Sequence, residues 1–204
     1  SEKDTIVACS TPPGRGAISL IRMSGDKALS IIQKITKNKL KKQISVVKFP
    51  LNADLIEKCV LTIFRAPNSY TGEDIVEIST HGNPYIVEEV IKKCLDSGAK
   101  IANPGEFTLR AFLNNKLSLD QSEAVKELIN ATSKASLKAA QNSLEGGLRI
   151  KISEVQDKLR ETRVLVETLI DFSDEDVNVY IDEVIYKINE FKHFFASFNE
   201  DMKA

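Results

Sequence analysis

All six prolines of this 204-residue chain lie at or before position 104, and from Ser118 onward the sequence reads as helix alone. A proline inside a helix costs about 3 kcal/mol, so its absence lets long helices run where the first part of the chain cannot support them. Ser118-Leu119-Asp120-Gln121 has the form of a capping box, in which a hydroxyl and a Gln side chain satisfy the bare amides of a helix start. Beyond it Ile152, Val155, Leu159, Val166 and Ile170 recur on one face with a period of about 3.6 residues, and Gly146-Gly147 marks a break or a close helix contact before them. After the acidic stretch Asp171-Phe172-Ser173-Asp174-Glu175-Asp176 a second stripe follows: Ile181, Val184, Ile188, Phe191, Phe195, Phe198 and Met202. Two such helices form a hairpin, whereas a stable bundle needs more. Their remaining partners are therefore expected in sequence beyond these residues or in another chain.

The first part follows a different grammar. Residues 5–10, 17–23, 44–49, 58–64 and 75–80 are short runs rich in Ile, Val and Leu that read as strands. Residues 26–35, 85–95 and 107–113 carry helical spacing, with Gly98 near the end of one helix and Pro104-Gly105-Glu106 opening another. The expected fold is α+β: a mixed N-terminal domain over residues 1–117, then an all-α segment over residues 118–204.

Charge divides at the same place. Residues 1–117 carry 17 Lys and Arg against 12 Asp and Glu, a balance of +5, and residues 118–204 carry 11 against 17, a balance of −6. The two parts therefore present different surfaces. Lys37, Lys39, Lys41 and Lys42 form a basic cluster that suits either a solvated loop or a phosphate contact. No apolar run approaches the roughly 20 residues of a membrane helix, and Ser1-Glu2-Lys3-Asp4 opens no signal-peptide core. Cys9, Cys59 and Cys94 form no CxxC pair, and His81 and His193 add no zinc spacing, so idle thiols in a reducing compartment are expected. A cytoplasmic protein with no membrane partner follows as the expectation.

Four clusters carry unusual residues. Thr11-Pro12-Pro13-Gly14-Arg15-Gly16, followed by Arg22-Met23-Ser24-Gly25, offers glycines beside cations, yet its spacing is neither GxGxxG nor GxxxxGK[ST] and suits a tight inter-strand turn. In the second cluster, 67–77 with His81-Gly82, Val76 and Ile78 share one strand face and Glu77 points to the other, toward solvent or a pocket. His81 has no nucleophile at a recognisable spacing and reads as structural. The third, 104–117, pairs Glu106 with Arg110 at i,i+4, worth about 0.3–0.5 kcal/mol on a surface, and ends at Lys116 without an evident partner. The fourth is the acidic stretch at 171–176, which reads as a solvated linker.

Taken together and in order, these segments resemble the MnmE (TrmE) family of tRNA modification GTPases. The resemblance rests on Asp4-Thr5-Ile6-Val7-Ala8, the Thr11 to Gly16 turn, 67–77, His81-Gly82, 104–117, Gln121-Ser122-Glu123-Ala124 and the acidic stretch, where Ser173 stands at the family's proline. It implies a domain at 1–117 that binds a tetrahydrofolate derivative, 5-formyl or 5,10-methylene, and forms a homodimer. Residues 118–204 are then the first helices of a helical domain. Arg22, Glu77 and Lys116 match the family's folate contacts, and strands 17–23 and 59–64 are expected near the dimer contact.

The same resemblance implies that the whole protein works with an MnmG-type FAD protein on the wobble uridine of tRNA, using GTP, Mg²⁺ and K⁺. The 204 residues contain no GxxxxGK[ST] or NKxD element, so GTP hydrolysis is expected of the parent protein and not of this chain. A folate-dependent aminomethyltransferase-like domain and a helical RNA- or protein-interaction module are the alternatives.

Overall fold

The computed structural model describes residues 4–40, 42–171 and 177–201. Lys41, residues 172–176 and Met202, which the sequence reading assigned to a basic cluster, a linker and a stripe, lie outside the described residues.

The N-terminal part holds β1 (Ile6–Cys9), β2 (Gly16–Ser24), α1 (Ala28–Thr36), β3 (Ile44–Pro50), β4 (Ile56–Phe64), β5 (Ile75–Gly82), α2 (Pro84–Asp96), β6 (Lys100–Ile101) and α3 (Glu106–Leu113). The helical part holds α4 (Leu119–Asn130), α5 (Lys134–Leu144), α6 (Gly147–Asp171) and α7 (Val177–Asp201). This is the α+β architecture the patterning implied. The chain divides into two compact units after Ser122, within α4.

The six strands form one sheet in the order β3-β4-β5-β2-β1-β6, antiparallel except where β6 joins β1. The two-residue strand β6 escaped the sequence reading because so short a run has no period to detect. Alternation along each strand assigns its residues to two faces. Ile21, Met23, Leu61, Ile63, Val76 and Ile78 turn to one face and join a buried core with Ile31 and Ile32 of α1 and Val90 and Cys94 of α2. At about 1.5–3 kcal/mol for each large apolar side chain buried, this face supplies the main driving force for folding. α2 begins where the Asn83 side chain accepts the Tyr85 N–H and Pro84 fixes the first turn.

The opposite face carries Arg22, Ser24 and Glu77, and toward β3 and β4 it leaves Ile44, Val46, Ile56 and Val60 exposed. Cys59 and Cys94 lie in the core, and burial pushes both thiols up to about 12. Cys9 is half-buried beside Thr11, whose hydroxyl lies 3.3 Å from its Sγ.

In the helical part, Gln121 Oε1 accepts the Ser118 N–H at 3.0 Å, one half of the expected capping box. A complete box occurs instead at Ser133 and Ser136, opening α5. Helix α5 ends before Gly146, whose φ of 78° allows the break that Gly146-Gly147 suggested. α6 and α7 are joined through Lys158, which lies 3.9 Å from Glu190 and 5.1 Å from the Phe194 ring centre. Of the expected apolar stripe of α6 only Val155 is half-buried, and Ile152, Leu159, Val166 and Ile170 remain exposed. A helix buries only the strip that its neighbours cover, and toward α7 that strip includes Lys158 and Thr162. No described helix is long and apolar enough to cross a membrane.

The turn from β2 to α1 is pressed against β1. Gly25 has φ 136°, and a Cβ there would stand 2.8 Å from Thr5 Cα and 2.7 Å from Thr5 Oγ1. That hydroxyl already accepts the Lys27 N–H at 3.0 Å. Gly25→Ala should therefore lower stability by about 2 kcal/mol or more. Urea unfolding would show this as a lower midpoint at an unchanged slope, and an unchanged midpoint would contradict it.

Candidate functional site

Antiparallel register brings two of the expected site residues together: Arg22 of β2 stands directly opposite Glu77 of β5. Residues opposed in this way on one face are close enough to pair. Arg22 Nε and Nη2 both donate to Glu77 Oε1, at 2.9 and 2.7 Å. Both side chains are only partly exposed, at 24% and 17%. Among the described residues no group donates a hydrogen bond to Glu77 Oε2, and Arg22 Nη1 donates to none. The pair thus keeps one acceptor and one donor group for a further partner.

Two aromatic rings flank the guanidinium. Its central carbon lies 5.4 Å from the centre of the Tyr70 ring and 5.8 Å from that of Phe107, within the range of cation–π attraction. Tyr70 belongs to the loop 65–74 and Phe107 to α3, and Tyr70 Oη and Thr108 Oγ1 join the two at 2.9 Å.

Buried charges fix that loop and helix to the sheet. Arg110 Nη1 lies 3.1 Å from Glu73 Oε2, and Arg110 Nη2 donates to Glu106 Oε1 at 2.9 Å. Ser24 Oγ donates to Glu73 Oε2 at 2.8 Å and lies 2.7 Å from Thr71 Oγ1. The sequence read Glu106 and Arg110 as a surface i,i+4 pair. Instead Arg110 is buried, with a second carboxylate, Glu73, that no local spacing could reveal. Burial works against the Glu106 charge, but the Asn103 N–H and the Arg110 guanidinium outweigh it and hold the carboxyl below its usual range.

Lys116 joins neither Arg22 nor Glu77. Its Nζ donates to the Pro67 carbonyl at 3.0 Å, and its stem passes Gly72, where a Cβ would stand 3.3 Å from Lys116 Cγ. Asn114 Nδ2 also donates to the loop, at Thr71 O, 2.7 Å away. The third expected residue therefore sits on the loop that carries Tyr70.

The other motifs have structural duties. Residues 11–16 turn between the paired strands β1 and β2, with Leu20 N–H donating to Thr11 Oγ1 at 3.2 Å. His81 is tied to the buried Glu57, whose Oε1 accepts the His81 N–H at 2.9 Å and lies 2.7 Å from Nδ1. No group of three or more His, Cys, Asp and Glu among the described residues could hold a metal.

An α+β domain with an ion-paired, aromatic-flanked sheet face, followed by a helical region, is the class of protein that the fold and this cluster define. Residues 5–116 match the family model for the GTP-binding protein TrmE N-terminus, and residues 119–203 match the MnmE helical domain. The chain is 48% identical over 185 residues to the tRNA modification GTPase MnmE of Francisella philomiragia and 47% identical to that of Francisella tularensis subsp. novicida. Each match takes in 90% of this chain and 41% of the relative, so the chain spans about two-fifths of the length of these curated relatives. It belongs to the MnmE (TrmE) family of tRNA modification GTPases, as that family's N-terminal region.

Arg110 should be the most costly single loss at this site. Arg110→Ala leaves Glu73 and Glu106 without their cation and should destabilise by about 3–5 kcal/mol, whereas Lys116→Ala should cost under about 1 kcal/mol. Because the Glu106 pKa is lowered in the folded state, its stabilising contribution is complete above the unfolded value near ~4.3 and is lost as pH falls through the folded value. The deficit of Arg110→Ala, followed by urea titration, should therefore shrink below about pH 4. A deficit that is constant down to pH 2 would contradict this assignment.

Proposed function

We propose that residues 1–117 bind a tetrahydrofolate derivative, in the 5-formyl or 5,10-methylene state, on the sheet face carrying Arg22 and Glu77. The observation that carries this reading is the Glu77 carboxylate, held through Oε1 alone by Arg22, whose guanidinium Tyr70 and Phe107 flank. A pterin presents an N–H and an exocyclic amine side by side, and the two lone pairs of Glu77 Oε2, the oxygen that Arg22 leaves open, can accept both. Tyr70 and Phe107 offer faces to a flat ring. The glutamyl end is anionic and suits Lys116 and the free Nη1 of Arg22. The bound folate would supply the one-carbon unit.

In this reading the whole protein is a cytoplasmic tRNA modification GTPase that acts with an MnmG-type FAD protein on C5 of the wobble uridine. GTP, Mg²⁺ and K⁺ belong to its G domain. A homodimer forms through the N-terminal part, and the exposed Ile44, Val46, Ile56 and Val60 supply an apolar face of the kind a second copy would cover.

Folate binding should depend on Glu77 more than on either cation. Glu77→Ala strands two ligand donors and should cost about 1–3 kcal/mol or more. Arg22→Ala and Lys116→Ala should cost less and lose importance at high salt. Titration of 5-formyltetrahydrofolate at low and high salt measures the ranking. Wild-type binding by Glu77→Ala, with binding abolished by either cation change at both salt levels, would overturn it.

Light scattering at tens of micromolar should report a dimer of this 22.7 kDa chain that Val46→Lys shifts to monomer. A wild-type monomer would remove the dimer from the proposal.

A further inference from the structure

We propose that this domain prefers a folate whose tail carries several γ-linked glutamates, and that the extra carboxylates enter a second, cationic cleft at the edge of the sheet. The inference rests on the folate reading above and adds a binding site beyond Arg22, Glu77 and Lys116.

The cleft, of about 360 Å³, lies where the connection between α1 and β3 meets the end of β4 and the start of the loop 65–74. Its polar side chains are Lys42, Gln43, Arg65 and Asn68, over an apolar floor that includes Ile63 and Phe64. No acidic residue lines it. Two cations and two amides make a donor-rich wall suited to carboxylates. The wall is held in place by β4, since the Ile63 N–H donates to Gln43 O at 2.8 Å.

The four polar side chains are largely uncommitted. Among the described residues no hydrogen bond or ion pair engages those of Lys42, Gln43 or Asn68. Arg65 has one acidic neighbour, Asp74, but the approach is 3.6 Å and the Arg65 side chain is 61% exposed. Asp74 gives its other oxygen to the Ala66 N–H at 2.9 Å. An exposed pair of that geometry holds its arginine weakly.

The loop 65–74 connects this cleft to the first site. Tyr70 stands over Arg22, Lys116 Nζ is bonded to Pro67 O, and Asn68 lines the cleft. Asn68 and Tyr70 are two residues apart, so their Cα atoms lie within about 7 Å. A tail leaving the Arg22 and Glu77 face along this loop passes Lys116 first and then reaches Arg65 and Lys42. Each added γ-glutamyl unit contributes one carboxylate to that run of cations.

The test compares mono- and triglutamyl 5-formyltetrahydrofolate by calorimetric titration into this chain at low salt. The triglutamate should bind about five- to tenfold more tightly, the sum expected from two partly exposed ion pairs. Lys42→Ala with Arg65→Ala should erase that advantage and leave monoglutamate affinity unchanged, which also shows that the variant is folded. Lys42→Glu alone should invert the preference. Equal affinities in the wild type would overturn the proposal, and loss of single-stranded RNA binding in the same variants would then assign the cleft to a nucleic-acid backbone. Failure of the wild type to bind either folate would instead remove the folate reading, and the cleft assignment with it.

Discussion

Arg110 is gripped by two carboxylates in a place where water barely reaches, and the side of the domain that carries Arg22 and Glu77 depends on that grip. Glu73 comes from the loop before β5 and Glu106 from the first turn of α3, so one guanidinium fastens the two segments to each other. Ser24 and Thr71 complete the arrangement: Ser24 Oγ donates to Glu73 Oε2, and Thr71 Oγ1 accepts the Glu73 N–H and lies 2.7 Å from Ser24 Oγ. A buried charge without such partners would be costly, and here each polar atom named has one. The hydrophobic core on the other face explains why the sheet forms. It does not explain why the loop and α3 lie over Arg22.

The polar face follows from strand register. Arg22 and Glu77 are 55 residues apart in sequence and meet because β2 and β5 pair antiparallel with these two positions opposed. A slip of β2 by one residue would turn Arg22 into the core, carry Ile21 and Met23 out to solvent and leave Glu77 without its partner. The apolar demand of the α1 and α2 side therefore sets the polar geometry of the opposite side.

Much of this was legible in the sequence, for identifiable reasons. Alternation around Val76 and Ile78 correctly put Glu77 on the far face, because period-two patterns survive whatever the sheet order is. Apart from the two-residue β6, apolar runs and punctuation place the strands and helices of the first part to within a few residues. What escaped detection depended on distance in sequence. Glu73 as a partner of Arg110, and Tyr70 and Phe107 as neighbours of Arg22, arise from how the loop folds back, and no local period encodes that. The α6 stripe illustrates the opposite limit: its periodicity was real, but a pattern states that a face is apolar and not which neighbour covers it.

The thiols of this chain differ sharply in what can reach them. Cys59 and Cys94 are sealed in the core with their ionisation suppressed, so at neutral pH neither presents a thiolate to a reagent. Cys9 alone is half-buried, at the end of β1 beside the turn that carries Thr11 and Arg15. The native sequence thus supplies its own attachment point for a maleimide dye or a nitroxide spin label, without engineered cysteines and with two silent thiols as background. A label placed there would sit on the same sheet as Arg22, one strand away, and would report distances and motions from a position that the protein already provides.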